Sequence, residues 1–104
     1  MGRPRPLHCR DHAETLVEGM FDGAGKGCPV LVHGRFNLTT WETDRARIAL
    51  QRSFDGGHSW HAFGQPILAG RSYIVHEPER GVWWRLCCER LDPAAPLLRY
   101  RFSQ

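Results

Sequence analysis

The sequence predicts an all-β protein, an antiparallel β-sandwich or small barrel of about six to seven strands with an extended N-terminal arm. Apolar and polar residues alternate with a period of two over several segments. Turn-forming residues separate these segments at spacings of roughly ten residues. A chain of 104 residues suits one domain with a single core. We therefore expect residues 1–28 to form the arm and residues 29–104 to form the β-sandwich domain.

The arm is basic and rich in proline and glycine, and it contains one short helical possibility. Asp11 is a suitable N-cap, and Glu14 follows three residues later as its capping-box partner. Such a short helix is marginal in isolation and forms only by docking on another surface. The apolar residues of this expected helix are Leu16, Val17 and Met20.

From residue 29 onward, each predicted strand has one set of side chains for the core and one for the outside. On the strand after residue 81, Trp84 belongs to the core set, whereas Trp83 faces outward beside Arg85. Cys88 is expected in the core and Cys87 as a facing or partly exposed thiol. The expected core-facing positions are Val30, Val32, Gly34, Phe36, Leu38, Ala46, Ile48, Leu50, Tyr73, Val75, Val82, Trp84, Leu86, Cys88, Leu98, Tyr100 and Phe102.

A glycine-rich hairpin joins two of the predicted strands. Adjacent glycines supply positive φ for a tight turn, and the side chains of Ser53 and Asp55, which precede these glycines, are placed to accept hydrogen bonds from loop amides. Residues 53–60 match S-x-D-x-G-x-[ST]-W and so resemble the Asp-box motif, which in its families lies remote from the chemistry. A single copy in 104 residues excludes a sialidase-like propeller. The motif positions are Ser53, Asp55, Gly57, Ser59 and Trp60.

The remaining polar residues form no recognisable catalytic or metal-binding pattern, so we expect no enzymatic activity and no cofactor. Glu77 and Glu79 flank a proline in a predicted turn and are interpreted as solubilising charges. A bridge between Cys9 and Cys28 stays open as an alternative to free thiols.

Composition and sequence pattern also argue against three other classes of protein. The net charge of +3 does not by itself imply nucleic-acid binding, so no specific nucleic acid is expected. The sequence lacks a run of eighteen apolar residues, and its basic N-terminus is not followed by an apolar segment, so neither a membrane span nor a secretory signal is expected.

The body of the chain resembles small β-sandwich structural proteins encoded in the morphogenesis modules of tailed bacteriophages. The resemblance rests on residues 35–38, 48–60, 76–86 and 98–104 in that order. It implies a non-enzymatic virion protein, a head decoration, stabilisation or head–tail joining subunit present in many copies and assembled in the host cytoplasm. Its partners would be capsid, portal or tail proteins.

Candidate subunit contacts lie on the arm and on the polar sides of the strands, where long arginine stems cover apolar surface. An alternative is a carbohydrate- or host-surface-binding module that uses Trp83 and Trp41. The candidate subunit contacts are Arg3, Arg5, Trp83, Arg85, Arg99 and Arg101.

Overall fold

A computed structural model of the chain describes residues 14–41 and 45–104. This part of the chain is built from strands and turns and contains no helix. Its strands are β1 (Thr15–Phe21), β2 (Gly25–Lys26), β3 (Val30–Leu31), β4 (Gly34–Trp41), β5 (Arg47–Ser53), β6 (His61–Leu68), β7 (Ser72–Glu77), β8 (Trp83–Arg90) and β9 (Leu98–Ser103).

The strands form two antiparallel sheets, as the sequence predicts for an all-β sandwich. Sheet A has four strands in the order β1-β9-β4-β7. Sheet B has five strands, in the order β2-β8-β5-β6 with β3 also paired to β8. The predicted fold class is confirmed, and the described residues contribute more strands than expected because two short ones, β2 and β3, line one edge of sheet B.

The core lies between the sheets and is filled by the alternating sets. Trp84 is fully buried, and its indole packs edge-on against Phe36 at 5.0 Å and against Phe63 at 4.8 Å between ring centroids. Such aromatic contacts add to the stabilisation that burial alone provides. Trp83 is half-buried on the opposite side of β8, so the predicted register of this strand is confirmed.

The continuous strand expected across Val30–Leu38 is divided between the two sheets. Val30 and Leu31 pair with β8 in sheet B, whereas the chain from Gly34 onward pairs with β7 and β9 in sheet A. Gly34 has a φ of +85°, a conformation that L side chains rarely adopt. The alternation of apolar side chains persists through this corner, so periodicity alone does not reveal it.

The prediction of an extended arm is wrong for residues 14–28. Residues 15–21 are strand β1 and not a helix, and β1 pairs with β9 along its length. A register shift between Thr15 and Val17 turns Leu16 and Val17 toward the core together. This bulge breaks the period of two, which is why the apolar spacing resembles a helix. Residues 1–13, including Asp11, lie outside the described residues, and the rest of the arm stays a prediction.

The cysteines differ in exposure. Cys88 is buried in the core as expected, and Cys87 is also buried, which corrects the expectation of a partly exposed thiol. Burial raises the pKa of both thiols above the ordinary value. Cys28 is exposed, and it is free like Cys87 and Cys88. Cys9 lies outside the described residues.

Candidate functional site

The hairpin between β5 and β6 is held by two side chains that bond to the loop itself. The hydroxyl of Ser53 accepts hydrogen bonds from the amides of Gly57 at 2.8 Å and Asp55 at 3.4 Å, and donates to Asp55 Oδ1 at 2.8 Å. Asp55 also accepts from the amide and hydroxyl of Ser59, at 2.9 and 2.6 Å. Gly56 and Gly57 have φ of +75° and +95°. The hydrogen bonds expected from residues 53–60 are thus present.

The Asp55 carboxylate accepts three hydrogen bonds within this hairpin, although the residue is exposed to solvent. The hydrogen bonds from the Ser59 hydroxyl, the Ser59 amide and the Ser53 hydroxyl hold the pKa of the Asp55 carboxyl well below its usual range. A carboxylate with all these donors is a strong acceptor and a weak base. It is therefore suited to fixing the loop and unsuited to taking a proton at neutral pH.

Trp60 closes the hairpin and carries Arg85 on its ring. The indole Nε1 donates to the carbonyl of Gly57 at 3.1 Å. The guanidinium carbon of Arg85 lies 4.1 Å from the centre of the Trp60 ring, and its Nε donates to Gln51 at 2.8 Å. Arg85, expected as a subunit contact, is thus held by its own chain.

A buried ion pair beside the hairpin corrects the interpretation of Glu77 as a solubilising charge. Glu77 is 0% exposed and lies 2.7 Å from Arg52, whose guanidinium spans both carboxylate oxygens. The carboxylate also accepts from Trp84 Nε1 at 3.1 Å and from the amide of Glu79 at 3.0 Å. Four donors around one carboxylate satisfy its acceptor capacity, as a buried charge requires.

Arg52 completes this cluster with apolar neighbours. Its guanidinium carbon lies 4.7 Å from the ring centre of Phe54, 5.4 Å from that of Trp84 and 5.6 Å from that of Phe63. Arg52 belongs to sheet B and Glu77 to sheet A, so the ion pair ties the two layers together. The cluster has a structural role that the sequence analysis missed.

The sequence contains a signal for this pair. Arg52 continues the core-facing set of Ile48 and Leu50, because the three are spaced by two residues. Glu77 continues the set of Tyr73 and Val75 in the same way. Two core-facing sets that end in opposite charges indicate a buried ion pair where the strand ends meet.

The other candidate contacts lie on the outer faces of the sheets or outside the described residues. Arg99 and Arg101 alternate with the buried side chains of β9 and so face outward on sheet A. The guanidinium carbon of Arg99 is 5.2 Å from the ring centre of Trp41. Trp83 pairs with exposed Leu31 at the edge of sheet B. Arg3 and Arg5 lie outside the described residues.

The surface formed by the described residues includes two clefts that bear on function. One, of about 240 Å³, lies on the outer side of sheet A, where Trp41 and Arg99 meet Glu18 and Met20 of β1. The other, of about 300 Å³, lies between the edge strands β6 and β7 and is largely apolar. Its apolar lining is Leu50, Phe63, Ile67, Tyr73, Ile74 and Val75.

Within residues 14–41 and 45–104, no group of three His, Cys, Asp or Glu side chains is placed to hold a metal ion. The described segments also contain no helix long and apolar enough to cross a membrane. Comparisons with protein-family models, curated proteins and solved structures each give no match to this chain.

Proposed function

We propose that this chain is a non-enzymatic structural protein of a tailed-bacteriophage virion that acts through protein–protein contacts. The proposed roles are head decoration, head stabilisation or head–tail joining, with capsid, portal or tail proteins as neighbours. The resemblance of the chain segments quoted above motivates the class, and the sandwich architecture agrees with it.

The observation that carries the proposal is the number of large apolar side chains left on the surface. Among residues 14–41 and 45–104, six such side chains are between 40% and 72% exposed, and apolar surface of this kind marks contact sites when it is contiguous. Phe63 and Ile74 line the cleft between β6 and β7, so part of this surface is contiguous. The six residues are Met20, Leu31, Phe54, Phe63, Leu68 and Ile74.

The two carboxylates with the most hydrogen bonds described above are also consistent with this proposal. The carboxylate of Asp55 accepts hydrogen bonds within the hairpin, and that of Glu77 accepts them within the buried ion-pair cluster, so both groups stabilise the fold. Small domains of this size also gain stability from association, since a small core leaves a large fraction of surface uncovered.

The test is to purify particles from a phage-producing culture that carries this gene. Density-gradient fractions are analysed by quantitative mass spectrometry for this protein and for the major capsid protein. We expect the protein to sediment with the particles at a fixed ratio in many copies. Recovery only in the soluble lysate, with none on intact particles, contradicts the proposal.

The second candidate is a carbohydrate- or host-surface-binding module, and the cleft beside Trp41 favours it. Here an indole lies next to the carboxylate of Glu18 and the guanidinium of Arg99, a combination suited to sugar ring faces and hydroxyls. Glycan-array binding that is lost in Trp41→Ala and kept in Trp83→Ala favours this cleft. The absence of binding by the parent protein argues against this second candidate.

A further inference from the structure

Strand β7 is an edge of sheet A that remains open to pairing. In the described part of the chain, β7 pairs with β4 alone, and the ladder from Ser72 to Glu77 runs without a register shift. The strand contains neither proline nor glycine, and Ile74 on its outer side is 72% exposed. Regular strand edges with unpaired N–H and C=O groups are templates for another strand.

The other edges of the two sheets carry features that hinder pairing. On β6, Gly64 has a φ of +73°, Pro66 has no N–H to donate, and the ladder with β5 contains a register shift. The edge strand β1 contains the bulge near Thr15 and the exposed Glu18. The remaining edge is made of β2 and β3, which are two residues long each. Protection of every edge but β7 singles this strand out.

The hydrogen-bond pattern shows which backbone groups of β7 face outward. The amide of Thr40 donates to the carbonyl of Arg71 at 3.1 Å, one step beyond the Thr39–Ser72 pair. Bonded and non-bonded pairs alternate along an antiparallel ladder, so residues 73, 75 and 77 bond to β4. The N–H and C=O groups of Ser72, Ile74 and His76 therefore point away from sheet A.

We propose that β7 pairs antiparallel with β7 of a second copy of this chain, with Ile74 on the two-fold axis. This register places Ile74 opposite Ile74 and Ser72 opposite His76. All the outward N–H and C=O groups of these three residues are then bonded across the interface. A shift by two residues in either direction leaves some of them without a partner, so the centred register is favoured.

Side chains across this interface are complementary. The three outward-bonding residues include no carboxylate, lysine or arginine, so no permanent like charges oppose each other. Antiparallel pairing also brings Arg71, just before β7, toward Glu79, just after it, on the second copy. Tyr73 and Val75 of the second copy extend the inner apolar layer over the cleft between β6 and β7. An isologous contact of this kind closes on itself as a dimer.

This inference concerns the chain alone and does not depend on the virion assignment, so it is tested on purified full-length protein. Sedimentation velocity over a concentration series gives the dimer fraction. The Ile74→Lys variant places two ammonium groups on the two-fold axis, and Met20→Lys adds the same charge at another exposed apolar position of sheet A, 58% exposed. We expect parent and Met20→Lys to dimerise, and Ile74→Lys to raise the dissociation constant at least about tenfold.

Hydrogen exchange on the parent protein supplies a second readout that needs no variant. The amides of Ser72, Ile74 and His76 are expected to exchange more slowly as concentration rises, since only the second copy bonds them. A parent protein that is monomeric at about 200 μM overturns the proposal. Equal dimerisation of Ile74→Lys and Met20→Lys, or fast exchange of these amides within the dimer, overturns it as well.

Discussion

The Arg52→Met substitution removes the cation that neutralises Glu77 and keeps an unbranched stem among the same aromatic rings. Glu77 is 0% exposed, and the shortest nitrogen–oxygen distance between the two side chains is 2.7 Å. Breaking a buried pair by removing one partner costs about 3–5 kcal/mol, because the remaining charge is left buried. The Arg52 side chain is 21% exposed, so water reaches the pair and we expect the lower end, about 3 kcal/mol.

Urea unfolding followed by circular dichroism measures this loss. Total free energies of unfolding of domains are about 5–15 kcal/mol, so the variant remains folded in buffer with a much smaller free energy of unfolding. With an m-value of about 1.5 kcal/mol/M, the unfolding midpoint falls by about 2 M. The Arg85→Met variant is the matched control, because this arginine lies on sheet B and contacts Gln51 and Trp60 near the surface. The free energy of unfolding of Arg85→Met should fall by less than about 1 kcal/mol.

A double variant separates the ion pair from simple loss of packing. Arg52→Met combined with Glu77→Met replaces both charges with apolar groups of similar length, which often restores part of the stability. We expect the double variant to be more stable than the sum of single losses implies, by at least about 1 kcal/mol. Additive losses, or equal losses in Arg52→Met and Arg85→Met, would refute the reasoning that a buried charge pair ties the sheets.

Three other perturbations test the described contacts. Asp55→Ala should lower the melting temperature at pH 7, and the difference from the parent should shrink below about pH 4. The pKa of Asp55 is lower in the folded state than in the unfolded state, so its carboxylate stabilises the fold above the unfolded-state pKa. This stabilisation is lost as the pH falls toward the folded-state pKa. A gap that is constant from pH 7 to pH 3 contradicts this role. Trp84→Ala should cost about 3–5 kcal/mol in urea unfolding and Trp83→Ala clearly less, and the reverse order is incompatible with the register of β8. Deleting residues 1–24 removes β1 and should lower the melting temperature far more than deleting residues 1–13, so equal melting temperatures would show that β1 adds little.

The alternating core was predictable because period-two patterns report directly which side of a strand is buried. Leu98, Tyr100 and Phe102 on β9, and Val82, Trp84 and Leu86 around β8, all lie where the pattern places them. The hairpin bonds were predictable for a different reason. Serine, aspartate and adjacent glycines at fixed spacing allow few loop conformations, so residues 53–60 determine their geometry locally.

Features that depend on distant parts of the chain were not predictable in the same way. The bulge at Thr15 displaces the apolar pattern of β1, and only pairing with β9 shows that the segment is a strand. The corner at Gly34 leaves the periodicity unchanged, so the change of sheet is invisible in the pattern. Glu77 follows an apolar set and precedes a proline, and its burial depends on Arg52, twenty-five residues earlier.

The position of β9 has a consequence for synthesis on the ribosome. This strand lies between β1 and β4 in sheet A, yet it follows every other described strand in sequence. Until residues 98–103 emerge, β1 has no neighbour among the described strands, and β4 has only β7. Sheet B contains no strand beyond residue 90, so it is free to assemble first. The nascent chain thus holds an unfinished sheet with exposed strand edges, a state in which binding by a chaperone is most useful.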